Sequence, residues 1–190
     1  VDHYGFVRKV KETYDHNARI DLMEMLWQVV YADGVCEKNY EHYDLYKQLE
    51  LTQEEWQEVR DFAKKYELDF IVDVSSNISF NIIKNINVDG VKLHSTNFFN
   101  DELIKNMLSL NKKFYLSIGG IKNNEIVDFI EKYRLTNANT VILFGFQAEP
   151  TPIKSNNLLR IDSLKKLTGL EIGFMDHSEA GDLYDTSLSV

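Results

Sequence analysis

The strongest constraint in this chain is a rhythm. From residue 69 to residue 175, short apolar runs alternate with capped, amphipathic segments five times, at spacings of about 20–30 residues. The apolar runs are 69–74, 90–95, 113–118, 140–146 and 171–175. Helical periodicity falls at 78–85, at 100–110 behind Asn100, at 123–133 behind Asn123, and around 163–167. Strands that alternate with helices pair in parallel, because a parallel pair needs a long crossover and a helix supplies it. A doubly wound sheet and a (β/α) barrel both satisfy this rhythm. No Gly-rich dinucleotide fingerprint follows the first strand, which counts against the doubly wound form. A closed barrel takes about 250 residues, and the chain has 190. The expected fold class is therefore α/β: a partial (β/α) TIM-type barrel of parallel strands.

An α-helical N-terminal segment precedes it. Residues 5–14 and 18–33 read as helices, and Ile20, Leu22, Met23, Met25, Leu26, Val29, Val30 and Ala32 give the second an apolar face. Asp33-Gly34 ends that helix, a shorter one spans about 39–49, and Thr52-Gln53-Glu54-Glu55 forms a capping box whose helix runs to about Tyr66. The net charge of -9 and pI near 5.0 argue against a nucleic-acid groove, which needs clustered Lys and Arg. They leave room for a small anionic ligand. No apolar run approaches a membrane span of about 18 residues, so no membrane partner is expected. Val1-Asp2-His3-Tyr4 is not a signal peptide. Cys36 is the single cysteine, which leaves no intrachain disulfide and points to a reducing, cytoplasmic setting.

In a barrel of this kind the reactive groups sit at the carboxyl ends of the strands. The segments at those ends are distinctive. They read Val91-Lys92-Leu93-His94-Ser95, Leu116-Ser117-Ile118-Gly119-Gly120, Gln147-Ala148-Glu149-Pro150-Thr151-Pro152 and Ile172-Gly173-Phe174-Met175-Asp176-His177-Ser178. With Tyr46 to Trp56 as a lead-in helix, and with Asn124-Glu125-Ile126 and Asn157 to Ile161 between them, these pieces resemble the catalytic barrel of the sialic acid synthase (N-acetylneuraminate synthase) family. The domain reading is a helical segment over 1–38 and a partial sialic-acid-synthase-like barrel over 39–190. The string Leu26-Trp27-Gln28-Val29-Val30-Tyr31-Ala32-Asp33-Gly34 makes residues 1–38 similar to part of a TerB-like helical domain.

The resemblance implies a chemistry: condensation of phosphoenolpyruvate with an N-acylated amino sugar of the N-acetylmannosamine type, giving a nonulosonic acid. It also implies a divalent metal, Mn2+ or Mg2+, that polarises the sugar aldehyde, and a homodimer. Lys92 would be a point cation for carboxylate or phosphate, with hydroxyls from Ser95 and Ser117 on the same anion. Gln147 and Glu149 would face phosphate or sugar. His177 would ligate the metal, and Asp176 would orient His177 or the sugar. Several positions depart from the family pattern. The first two family strands and the second metal histidine are not found. Glu149 stands for a tyrosine, Met175 for a serine, and Asp73-Val74-Ser75 for a Thr-Pro-Phe-like segment. Two other readings follow from these departures. One is a non-catalytic scaffold whose helical part binds a protein partner. The other is a Schiff-base aldolase using Lys92.

Overall fold

A computed structural model describes residues 51–145 and 151–177. The chain divides into two units, Val1–Thr52 and Gln53–Val190, and the elements below belong to the second. The expected helices upstream of residue 51, and with them the TerB-like stretch, lie outside the described residues.

Helix α1 (Gln53–Lys65) opens directly after Thr52, with Glu54 and Glu55 in its first turn and Lys64 and Lys65 in its last. That charge order suits the helix dipole at both ends. Then strand and helix alternate: β1 (Ile71–Val74), α2 (Asn77–Ile83), β2 (Gly90–Leu93), α3 (Asp101–Ser109), β3 (Lys113–Ser117), α4 (Asn123–Tyr133), β4 (Thr140–Phe144), α5 (Arg160–Thr168) and β5 (Glu171–Phe174). The boundaries follow local chemistry. Ser76 caps α2 by accepting from the Ser79 N–H at 3.2 Å, and Asn100 caps α3 by accepting from the Leu103 N–H at 3.3 Å. The start of α4 differs from the sequence expectation. Asn123 is the first helical residue, not the cap, and the Lys122 N–H donates to Glu125 Oε2 at 2.8 Å. A glutamate three residues inside the helix does the capping, which frees the Asn123 side chain to accept from Arg160 Nη2 at 3.2 Å. Gly169, at φ +68°, ends α5 in the left-handed conformation that a glycine adopts without strain.

All five strands are parallel, and their order across the sheet is β1-β2-β3-β4-β5. This order separates the two folds that the sequence leaves open. A doubly wound sheet reverses direction at a switch point and carries helices on both faces. Strict sequential order with right-handed crossovers puts every connecting helix on one face, and that is how a TIM-type barrel is wound.

Register sorts the side chains between the two faces. Val72, Val91, Phe114 and Thr140 stand side by side, and two residues further on so do Val74, Leu93, Leu116, Ile142 and Ile172. All of these are buried except the half-buried Ile172. All but Thr140 form one core with Phe80 and Ile83 of α2, Leu103, Ile104 and Met107 of α3, Ile126 and Phe129 of α4, and Leu164 of α5. The alternate positions face the other way: Ile71 and Asp73, Gly90 and Lys92, Lys113, Tyr115 and Ser117, Val141 and Leu143, Glu171 and Gly173. That second face holds the expected site residues of β2 and β3.

Candidate functional site

Lys92 is the last-but-one residue of β2, and its register neighbours are Asp73 on β1 and Tyr115 on β3. Leu93 turns into the helix-packed core, so alternation sends Lys92 to the opposite face. Its ammonium does not stand alone there. Lys92 Nζ donates to Asp73 Oδ2 at 2.8 Å, and both side chains are only partly buried.

Ser117 ends β3 on the same face, two residues past Tyr115. It is fully buried, and its Oγ donates to the thioether of Met175 at 3.9 Å. A thioether is a weak acceptor, so this buried hydroxyl is poorly satisfied. Diagonal neighbours on adjacent strands lie about 7–8 Å apart at their Cα atoms. Lys92 and Ser117 are diagonal neighbours of this kind, on one face of adjacent strands.

Ser95 opens the 3-10 turn Ser95–Asn97 immediately after β2 and is buried. His94 caps that turn: its Nδ1 accepts from the Thr96 N–H at 3.4 Å and lies 2.9 Å from the Thr96 hydroxyl. The histidine at this strand end is thus occupied with shaping the loop.

The exits of β4 and β5 are tied together by backbone. The Met175 N–H donates to the Phe144 carbonyl at 2.7 Å. Gly145 makes this approach possible, since a Cβ at that position would sit 2.3 Å from the Met175 carbonyl oxygen. Further on, the Thr151 N–H donates to the His177 carbonyl at 2.7 Å, so the segment that follows β4 lies against the one that follows β5. Asp176 and His177 are both half-buried at this junction. Gln147 and Glu149 lie outside the described residues.

The geometry groups these residues unevenly. Lys92, Ser95 and Ser117 sit at the carboxyl ends of the adjacent strands β2 and β3. Asp176 and His177 follow β5, which is three strand spacings, or about 14 Å, from β2. The Ser117–Met175 contact links the two groups, since Met175 directly precedes Asp176. The described residues contain no group of three His, Cys, Asp or Glu side chains able to hold a metal ion.

Asp73 was missed as a member of this site by sequence reasoning. Its signal was present, as an acid between two buried valines (Val72-Asp73-Val74) on a strand too short to waste a position. Only the register shows that its partner is Lys92. The face has a second ion pair, Lys113 with Glu171 at 3.8 Å.

Comparison with known proteins decides the family. A sequence profile described as the NeuB family matches residues 21–187. The chain belongs to the NeuB family. The match begins inside the stretch read above as a TerB-like segment, and no comparison supports that second likeness. Among relatives, the chain is 25% identical over 179 residues to the uncharacterized protein MJ1065 of Methanocaldococcus jannaschii, covering 94% of this chain and 53% of that one. It is 26% identical over 137 residues to the pseudaminic acid synthase of Helicobacter pylori, covering 72% and 40%. Among solved structures, the N-acetylneuraminic acid (sialic acid) synthetase of Leptospira borgpetersenii, in complex with citrate, superposes with a TM-score of 0.65 at 24% identity, covering 74% of this chain and 49% of that one. This NeuB chain therefore spans about half the length of the curated relatives it matches.

Proposed function

We propose that this NeuB-family chain carries the phosphoenolpyruvate-binding part of a sialic-acid-synthase-like site. The reaction would join phosphoenolpyruvate to an N-acylated amino sugar. The enol carbon adds to the sugar aldehyde, water takes up the cationic carbon left behind, and phosphate departs. Lys92 and Ser117, with Ser95 beside them, bind the carboxylate or phosphate. Gln147, Glu149 and Asp176 serve the sugar side, and His177 offers one ligand to Mn2+ or Mg2+. The observation that carries this reading is the pairing of Lys92 with the buried, poorly satisfied Ser117 hydroxyl on one face of adjacent strand ends. A cation and a buried donor within reach of one small anion make a phosphate or carboxylate subsite. The match to the NeuB family gives that subsite its chemical context.

Thermal unfolding with phosphoenolpyruvate, with and without Mn2+, tests the proposal. The expected result is a ligand-dependent rise in Tm that Lys92→Ala abolishes. No rise in the unsubstituted protein would remove the assignment.

A second reading, a scaffold that binds a protein partner, has one observation in its favour. Helix α1 packs Trp56 against the core but fully buries no residue, and Phe62 is 63% exposed beside Tyr66 at 57% and Leu68 at 59%. That reading expects complex formation on size exclusion and no stabilisation by ligand. The same column run tests the expected homodimer. Among the described residues no helix is long and apolar enough to cross a membrane.

A further inference from the structure

Both lysines on the site face of the sheet already have an acid. Lys92 is held by Asp73 at 2.8 Å and Lys113 by Glu171 at 3.8 Å. The charges on this face, counted over the described strands, therefore cancel. Such a face has little long-range pull on an anion, because the field of each ammonium is opposed by a carboxylate a few ångströms away. Asp73 is also the direct register neighbour of Lys92, on the β1 side, while Ser117 lies towards β3. A ligand anion that reaches Lys92 must either share the ammonium with Asp73 or displace it.

We propose that Asp73 is a specificity-determining residue: it competes as an internal anion for Lys92 and so sets how much negative charge the subsite accepts. This deepens the proposed function and rests on it. The penalty that Asp73 imposes grows with the charge of the ligand, since its carboxylate repels each added negative charge at nearly the same short distance. A monoanionic carboxylate is tolerated and a phosphorylated carboxylate is held weakly. Discrimination of this kind, by a repulsive element placed beside an attractive one, is a general way to build specificity. Asp73 is 43% exposed and lies outside the core, so its loss spares the fold.

The test is a charge series read by isothermal titration on Asp73→Asn and the unsubstituted protein, with pyruvate and phosphoenolpyruvate as probes. Asp73→Ala serves as a second variant, and far-ultraviolet circular dichroism checks each fold. The expected result is tighter phosphoenolpyruvate binding in Asp73→Asn, by about tenfold or more at low salt. The gain should be smaller for pyruvate and smaller for both as salt rises. In the double variant Asp73→Asn, Lys92→Ala the gain should vanish. A merely structural role for Asp73 would change both probes alike and would not follow salt. Equal or weaker phosphoenolpyruvate binding in both Asp73 variants would overturn this inference and leave the proposed function standing. Binding by no form of the protein would overturn the proposed function, and this inference with it.

Discussion

The two faces of the sheet are built by opposite rules. On the helix side, Val74, Leu93, Leu116 and Ile142 line up across four strands with no exposed surface at all. On the other side β1, β2 and β3 present Asp73, Lys92, Tyr115 and Ser117, and all but Ser117 keep some contact with solvent. The four positions on the first face present only hydrocarbon, and swaps that conserve volume are the kind such a core tolerates best. On the second face the identity and order of the polar groups matter, since they meet one another across strands. Stability should therefore respond to the first face and ligand binding to the second.

The sharpest way to break that division is a matched pair of truncations on β3. Leu116→Ala removes a fully buried side chain from the middle of the core and should cost about 2–5 kcal/mol. For a chain of this size that is a fall in Tm on the order of 10 °C. Tyr115→Ala, one residue away on the half-exposed face, should cost about 1 kcal/mol. Thermal unfolding of the two variants decides the matter, and comparable losses would mean that the open face is packed as tightly as the core.

A smaller effect is expected at the seam where the faces meet. Gly145→Ala drives a Cβ against the Met175 carbonyl, and the obstacle is backbone, which cannot rotate away. The β5 exit should move, at a cost of about 1–3 kcal/mol. Met175 would leave Ser117, and the phosphoenolpyruvate-dependent rise in Tm should fall with it. An unchanged ligand response in Gly145→Ala would detach the β4–β5 exits from the subsite. Lys92→Ala should do the reverse. It gives up a partly exposed ion pair worth at most about 1 kcal/mol, so the unliganded Tm barely changes while the ligand response is lost.

The same division explains what could be read from sequence. Runs such as Val91 to Leu93 and Phe114 to Ile118, set between capped helices, were enough to place every described strand and α-helix within a few residues, though not the short 3-10 turns. Periodicity does not carry strand order, so the barrel was favoured only by the missing dinucleotide fingerprint until the sequential strand order showed it. On the site face, the strand-end positions of Lys92 and Ser117 were legible because position along a strand is a local property. The Asp73–Lys92 pair was not, because it joins residues nineteen apart through register alone. The cap of α4 was placed one residue late because Asn123 is a good cap by type, and only the structure shows Glu125 already bonded to Lys122.

The least disruptive test lies on the helix side, where charge is confined to the outer surface. Asp101 opens α3 and gathers Lys105 Nζ at 2.5 Å, Lys132 Nζ of α4 at 2.6 Å and the donated hydroxyl of Tyr133. These partners, Lys105 first, hold its carboxyl far below the usual aspartate range, and Asp101 in turn raises Lys132. A carboxyl whose folded pKa is depressed stabilises the fold at pH values above its unfolded pKa, and that contribution fades as pH falls through the folded one. The Tm difference between the unsubstituted protein and Asp101→Asn should therefore be flat from pH 7 down to about 5. It should shrink once pH drops below about 4, the ordinary aspartate value, and still be shrinking at pH 2. Because the group is solvent-exposed, added salt should reduce the difference at neutral pH. A difference that stays constant into acid would show that α4 is held to the segment leading into α3 by packing of Phe98 on Phe129 rather than by charge. The helix face would then be apolar in its energetics out to its surface, and the contrast with the Asp73–Lys92 face would be sharper still.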